Sequence, residues 1–139
     1  MSRLVADACA LITVTVPQSR SESARAVLAS ADAVVAPDLA LVECTNALWK
    51  FVHAGQCSEH EALGFLDAIT NAEVDFQDSA PLLPRALELA TLLGHPVYDC
   101  VYLTLAIVEQ APVVTTDRRL ADTAVAAGLG DLVLLVEAD

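Results

Sequence analysis

The chain has 139 residues, 55% of them apolar, 4% aromatic and 19% charged. That is one domain's length at ~100–200 residues per domain, and it excludes a disordered tail, a collagen-like chain and a disulfide scaffold. Seven basic against nineteen acidic residues leave a net charge of −12, which repels phosphate backbones and anionic lipids, so dealings with nucleic acid must run through bound metal or a local basic patch.

Short apolar strands alternate with longer helices along the sequence. Residues 4–6 form a brief strand ending at Asp7, and an apolar helix follows over about 8–16. Ser19 and Glu22 have capping-box spacing and predict a helix to about Ser30. Residues 33–36 read as a second buried strand closed by Pro37, after which Asp38 can cap a helix to about Ala54, stopped by Gly55. Ser58 with Glu61 makes a second capping box for a helix to about Thr70, and Val74 and Phe76 mark a third strand. Asp78 or Ser79 opens a helix ending near Gly94, with Pro81 and Pro84 in its first turns. His95-Pro96 breaks the chain before a strongly apolar helix over 97–110. A strand at 112–115, a helix at 118–127 stopped by Gly128, and a strand at 132–135 complete the pattern. Such alternation predicts an α/β architecture with a parallel sheet, whose functional crevice lies beyond the carboxyl ends of the strands.

The mean hydropathy of +0.54 raises a membrane reading, but the longest charge-free run, residues 8–19, contains Pro17 and falls short of the ~20 apolar residues of a spanning helix. No basic stretch precedes an apolar run with a cleavage site, so a soluble, cytoplasmic chain with no membrane partner is expected. The surplus of apolar residues points instead to a surface buried in an oligomer. Cys9, Cys44, Cys57 and Cys100 form no CxxC pair, so reduced, buried thiols are expected. A zinc site from Cys9, Cys44 and Cys100 lacks the paired ligand spacing of structural zinc.

Four acids stand where the crevice rule points. Asp7 and Asp117 follow strands, while Glu43 and Asp99 interrupt apolar helices. A buried carboxylate is costly unless paired, and cations are scarce here. Lys50 lies two turns beyond Glu43 on the same helix face and could pair with it in part, but no comparable local cation serves Asp7 or Asp99. One shared divalent ion would answer all four. Oxygen-only ligands favour Mg²⁺ or Mn²⁺, and a carboxylate-held metal at a sheet edge points to phosphodiester hydrolysis by activated water. No GxSxG elbow, Walker loop or GxGxxG fingerprint offers another chemistry.

Leu-Val-Ala-Asp7, Glu43-x-x-Asn46-Ala-Leu, Tyr98-Asp99-x-x-Tyr102-Leu-x-Leu-Ala106 and Thr115-Thr116-Asp117-Arg118-Arg119-Leu120 together resemble the PIN domain, and more narrowly the VapC-type toxins of toxin–antitoxin pairs. The resemblance spans essentially the whole chain, 1–139, as a single domain. It implies a three-layer α/β/α sandwich with a central, mainly parallel sheet of four to five strands. It also implies an Mg²⁺- or Mn²⁺-dependent endoribonuclease acting on RNA, neutralised by a small cognate antitoxin, and a homodimer. Carried over position by position, Asp7, Glu43, Asp99 and Asp117 match the family's acidic quartet, with Asp7 and Asp99 as the most direct ligands. Thr115 matches a hydroxyl that fixes a carboxylate or water, and Asn46, one turn after Glu43, could brace it. Cys9 departs from the serine or threonine of many relatives.

Other roles stay open. Asp7 could be only a strand-end cap, Asp117 a helix N-cap and Asp99 a cap after Pro96. Asp122 and the acids between Glu59 and Asp78 read as solvated. His53, His60 and His95 read as surface or capping residues, and Trp49 and Phe51 as core or dimer contacts. Tyr98 and Tyr102 read as packing residues with hydroxyls at a polar edge. Arg3, Lys50, Arg118 and Arg119 are the candidate basic patch for RNA, which a dimer could complete, and the acidic pocket would attract an arginine from a basic antitoxin tail. A haloacid-dehalogenase-like phosphatase needs an acid where Cys9 stands, and a receiver domain needs a late lysine, whereas Lys50 is the only lysine. A non-catalytic PIN-like scaffold remains the main alternative.

Overall fold

Strands buried on both faces must be near-continuous apolar runs, and the strands here are so except at residues 75–77, where Asp75 and Gln77 flank Phe76. The structure is a computed structural model that describes residues 2–137. The elements run β1 (Arg3–Ala6), α1 (Ala8–Thr15), α2 (Ser21–Ala29), β2 (Ala33–Pro37), α3 (Leu39–His53), α4 (Glu59–Thr70), β3 (Asp75–Gln77), a 3₁₀ turn (Ala80–Leu82), α5 (Leu83–Leu93), α6 (Val97–Glu109), β4 (Val113–Thr115), α7 (Arg118–Ala126), a 3₁₀ turn (Gly130–Leu132) and β5 (Val133–Leu135). All the strand pairs are parallel, in the order β3-β2-β1-β4-β5, and the helices flank this sheet in a three-layer α/β/α arrangement.

The register pairs Leu4 with Val34 and Val5 with Val35 on one side of β1, and Val5 with Val113 and Ala6 with Val114 on the other. Alternation then sends Leu4 and Val114 into one apolar cluster with Ala10 of α1 and Ala24 of α2, and Val5 and Val113 into the larger one. That larger cluster is built around α6, whose residues 100–106 are all buried. A helix apolar on every face belongs in a core, and α6 accounts for much of the high hydropathy. Among the described residues no single helix is long and apolar enough to cross a membrane.

Capping follows the sequence in part. The Ser58–Glu61 box forms, with both reciprocal hydrogen bonds at 3.0 and 2.9 Å. The Ser19–Glu22 box does not: α2 starts at Ser21, whose buried hydroxyl donates to Thr13 O at 2.6 Å and accepts from Gln18 N–H at 2.9 Å. That serine is spent on stitching α2 to the end of α1. Asp38 does not cap α3 either. Its backbone is already helical (φ −64°, ψ −18°), so its carboxylate turns away and accepts from Ser79 N–H and Oγ at 3.0 and 2.6 Å. The same Ser79 Oγ accepts from Leu39 N–H at 3.0 Å, capping α3 from forty residues away in sequence. The predicted helix at 78–94 is a 3₁₀ turn running into α5. Its end at Gly94 (φ 61°) is the left-handed stop the sequence called for, while Gln110 adopts the same region (φ 54°) after α6 without being a glycine.

Candidate active site

The strand order reverses direction between β1 and β4: β2 and β3 extend the sheet on one side, β5 on the other. Their carboxyl ends therefore diverge into a crevice, the switch point where open α/β sheets place their ligands. Asp7 follows the last residue of β1. Its N–H donates to Val114 O at 3.2 Å, extending the ladder to β4, and its Oδ1 accepts from Ala10 N–H at 2.8 Å, capping α1. The residue is only 5% exposed. Burial pushes its carboxyl up to about 7; the charges of Asp99 and Asp117 push the same way, and the Thr115 hydroxyl and Ala10 N–H oppose. The cap role and the site position coincide in one side chain.

Asp117, two residues beyond β4, caps α7 by accepting from Arg119 N–H at 2.9 Å, while its own N–H donates to Thr115 Oγ1 at 2.9 Å. The fully buried Thr115 hydroxyl thus connects Asp7 and Asp117. Glu43 projects from α3, half-buried. Tyr102 of α6 donates its hydroxyl to Glu43 Oε1 at 2.6 Å. Burial raises the Glu43 carboxyl, the Tyr102 bond lowers it and the charge of Asp99 raises it; the Tyr102 phenol, 1% exposed, is driven far above its ordinary range by burial and then by Glu43. Asp99 stands in the first turn of α6 with Oδ2 2.6 Å from His95 Nε2.

Cys9 lies near these acids. Partial desolvation and then the charges of Asp7, Asp117, Asp99 and Glu43 push its thiol up to about 12. The charges of four acids, from the end of β1, α3, α6 and the β4–α7 turn, are thus felt at one sulfur at this edge of the sheet.

The donor set, rather than a ready-made geometry, is what would suit a cation. Among the described residues no group of three His, Cys, Asp or Glu side chains is close enough to hold an ion as arranged; Tyr102 and His95 instead engage Glu43 and Asp99. The ion pairs among the described residues are Arg3–Glu109, Arg118–Glu137 and Arg119–Asp117, and His95 is hydrogen-bonded to Asp99. Among the described residues neither Asp7 nor Glu43 has a basic partner. An unpaired buried carboxylate beside two more, with oxygen the only ligand of the quartet, fits a hard divalent ion.

Several expectations change. Within one chain Arg3 stands apart from Asp7: it starts β1, at the opposite end of the strand, and pairs with Glu109. Lys50 is exposed without an ion pair among the described residues, so it does not neutralise Glu43. Arg118 turns to Glu137 at 3.2 Å, and the exposed Arg119 stands 4.0 Å from Asp117. Asn46 is exposed; the hydroxyl that holds Glu43 is Tyr102's. Cys9 is exposed and Cys57 half-buried, so only Cys44 and Cys100 are the buried thiols expected. Trp49 is 57% exposed and stacks on His53 at 5.0 Å, outside the core, whereas Phe51 packs against it. His95 is more than a surface residue: it supplies the local partner that Asp99 was expected to lack. The i, i+4 spacing of His95 and Asp99 was its one sequence signal.

Residues 4–126 match the PIN domain, and the chain belongs to that family. It is 34% identical over 122 residues to Ribonuclease VapC3 of Pyrobaculum aerophilum, covering 86% of this chain and 93% of that protein. It is 31% identical over 123 residues to Ribonuclease VapC1 of Mycobacterium tuberculosis, covering 87% and 90%. Among solved structures, a toxin–antitoxin complex from Klebsiella pneumoniae superposes with a TM-score of 0.70 at 13% identity, covering 98% of this chain and 99% of that one. A crystal structure of a Pyrobaculum aerophilum protein gives 0.69 at 24%, covering 94% and 89%. These two likenesses are of fold.

Proposed function

We propose that this protein is an Mg²⁺- or Mn²⁺-dependent endoribonuclease, the toxin of a VapBC-type toxin–antitoxin pair. The observation that carries the reading is Asp7: a buried carboxylate at the switch point, without a basic partner among the described residues, with two further carboxylates raising it. Similarity to proteins named as VapC ribonucleases supports the RNA substrate, and likeness to a toxin–antitoxin complex supports a protein partner.

Asp7 and Asp99 would hold the ion directly, with Glu43 and Asp117 completing the site. Bound there, a divalent cation supplies positive charge to a phosphodiester and acidifies water. The chain's own residues do the positioning. Thr115 fixes Asp7 against Asp117, Tyr102 presents Glu43, His95 orients Asp99, and the α1 and α7 N-termini hold two of the carboxylates in place. The acidic pocket would accept an arginine from a basic antitoxin tail. Exposed Val42, Trp49 and Leu63 on α3 and α4 are apolar area for a homodimer, and the pair would work in the cytoplasm.

The test is cleavage of a structured RNA panel with and without Mg²⁺ or Mn²⁺, comparing wild type with Asp7→Asn and Asp99→Asn. Metal-dependent cutting lost in both variants is the expected result; activity that survives both substitutions removes the enzyme assignment. A non-catalytic scaffold draws on one observation, that the acids are not grouped for an ion as they stand. It gains if no RNA is cut while a basic peptide binds the pocket.

A further inference from the structure

Beside the acids lies a small polar cavity of about 200 Å³ lined by Thr13, Gln18, Ser19, Arg20 and Thr116. Its cation is Arg20, just before α2. Arg20 Nη1 donates to Thr116 O at 2.8 Å, which fixes a half-buried guanidinium against the turn that carries Asp117. A guanidinium has five N–H donors, and this bond uses one. Among the described residues Arg20 pairs with no carboxylate, unlike Arg3, Arg118 and Arg119. In a chain of seven cations and nineteen acids, a positioned arginine left without an acid has capacity for an external anion. The other walls are hydroxyls and an amide. Thr13 Oγ1 donates to Cys9 O at 2.7 Å and stands 3.5 Å from Thr116 Oγ1, and Gln18 Nε2 donates to Val16 O at 3.1 Å.

The geometry points to this cavity as a phosphate subsite that takes the RNA phosphodiester next to the one being cut, with Arg20 as its binding residue. This rests on the nuclease reading and adds to it where the strand runs. Thr116 directly precedes Asp117, so a wall of the cavity and one of the four acids are joined by a single peptide bond. At about 30 Å³ per water, the cavity has room for several waters and so for a phosphate in their place. A planar, permanently charged fork is also the group best suited to phosphate. The subsite answers the charge problem locally: the cation comes from the α1–α2 connection, which the dispersed Arg3, Lys50, Arg118 and Arg119 do not supply.

The experiment measures steady-state cleavage of one single-stranded RNA in Mn²⁺ over a range of salt, for wild type, Arg20→Gln, Arg20→Lys and Arg25→Gln, with Mn²⁺ binding followed separately without RNA. Arg25 is the control: it lies on α2, is exposed, and also bonds a carbonyl, Val14 O at 3.1 Å. Loss of one charge-assisted hydrogen bond should raise the KM of Arg20→Gln about ten- to a hundredfold, with kcat held within about twofold. The slope of log kcat/KM against log salt should become shallower by about 0.7, one phosphate contact on a single strand. Arg20→Lys should keep the wild-type slope and recover most of the KM, Arg25→Gln should match wild type, and Mn²⁺ binding should be equal in all four. An unchanged KM and slope in Arg20→Gln, or an equal loss in Arg25→Gln, overturns the subsite while leaving the nuclease intact. Wild-type protein that cuts no RNA overturns the nuclease reading and the subsite with it.

Discussion

Replacing Asp7 with asparagine should make the metal-free protein more stable at neutral pH. The Asp7 carboxyl rises from 3.8 to about 7 on folding because burial disfavours its charge. The folded state then binds the proton more tightly than the unfolded chain. The stability gained is full below pH 3.8 and is lost as pH climbs through about 7, so above that the wild type carries the whole cost of a buried charge. At about 1.36 kcal/mol per pH unit, that cost is on the order of 4 kcal/mol. Asparagine cannot ionise, yet its side-chain oxygen can still accept from Ala10 N–H and keep the cap on α1. Urea unfolding in chelator at intervals from pH 4 to 8 should therefore show the two proteins converging near pH 4, with Asp7→Asn ahead by several kcal/mol at pH 8. Glu43 is raised in the same direction and titrates in both proteins, so the difference isolates Asp7. Added Mg²⁺ or Mn²⁺ should stabilise wild type at pH 8 and leave Asp7→Asn nearly unmoved. If Asp7→Asn is the less stable protein at pH 8 in chelator, burial is not what holds that carboxyl up, and the case for a resident cation loses its footing.

Tyr102→Phe removes the donor on Glu43 Oε1 and should lower Mn²⁺ affinity about ten- to a hundredfold by calorimetry; unchanged affinity would place Glu43 outside the site. The Cys9 thiol, exposed but pushed up to about 12, should react with iodoacetamide at pH 8 far more slowly than an ordinary free thiol, and mass spectrometry that finds Cys9 labelled as fast as a model thiol would refute the crowding of four acids around it. His95→Ala should cost more activity than His60→Ala, because only His95 orients Asp99; equal small losses in cleavage assays would make the pair incidental. RNA should bind the chelated protein at least tenfold more weakly than the Mg²⁺ form in a filter assay, since the net charge of −12 repels it; equal binding would contradict metal bridging.

Periodicity and punctuation alone determined the order of strands and helices and the parallel sheet, and they singled out the four candidate acids. Those signals are local: an apolar run, a capping box such as Ser58–Glu61, a left-handed stop at Gly94. Asp7 and Asp117 were legible because a carboxylate just after a buried strand has a place defined by that strand. Contacts between distant segments were beyond the sequence. Ser79 caps α3 across forty residues, Tyr102 reaches Glu43 across fifty-nine, and Arg20 is set beside Thr116. Which arginines face the crevice was equally hidden: Arg3 precedes Asp7 by four residues, yet an extended strand carries each residue about 3.3 Å onward and puts the two at opposite ends of the sheet. Only the packed sheet, with its reversal between β1 and β4, decides which charges meet, because repulsion and burial act through space and the sequence records distance along the chain alone.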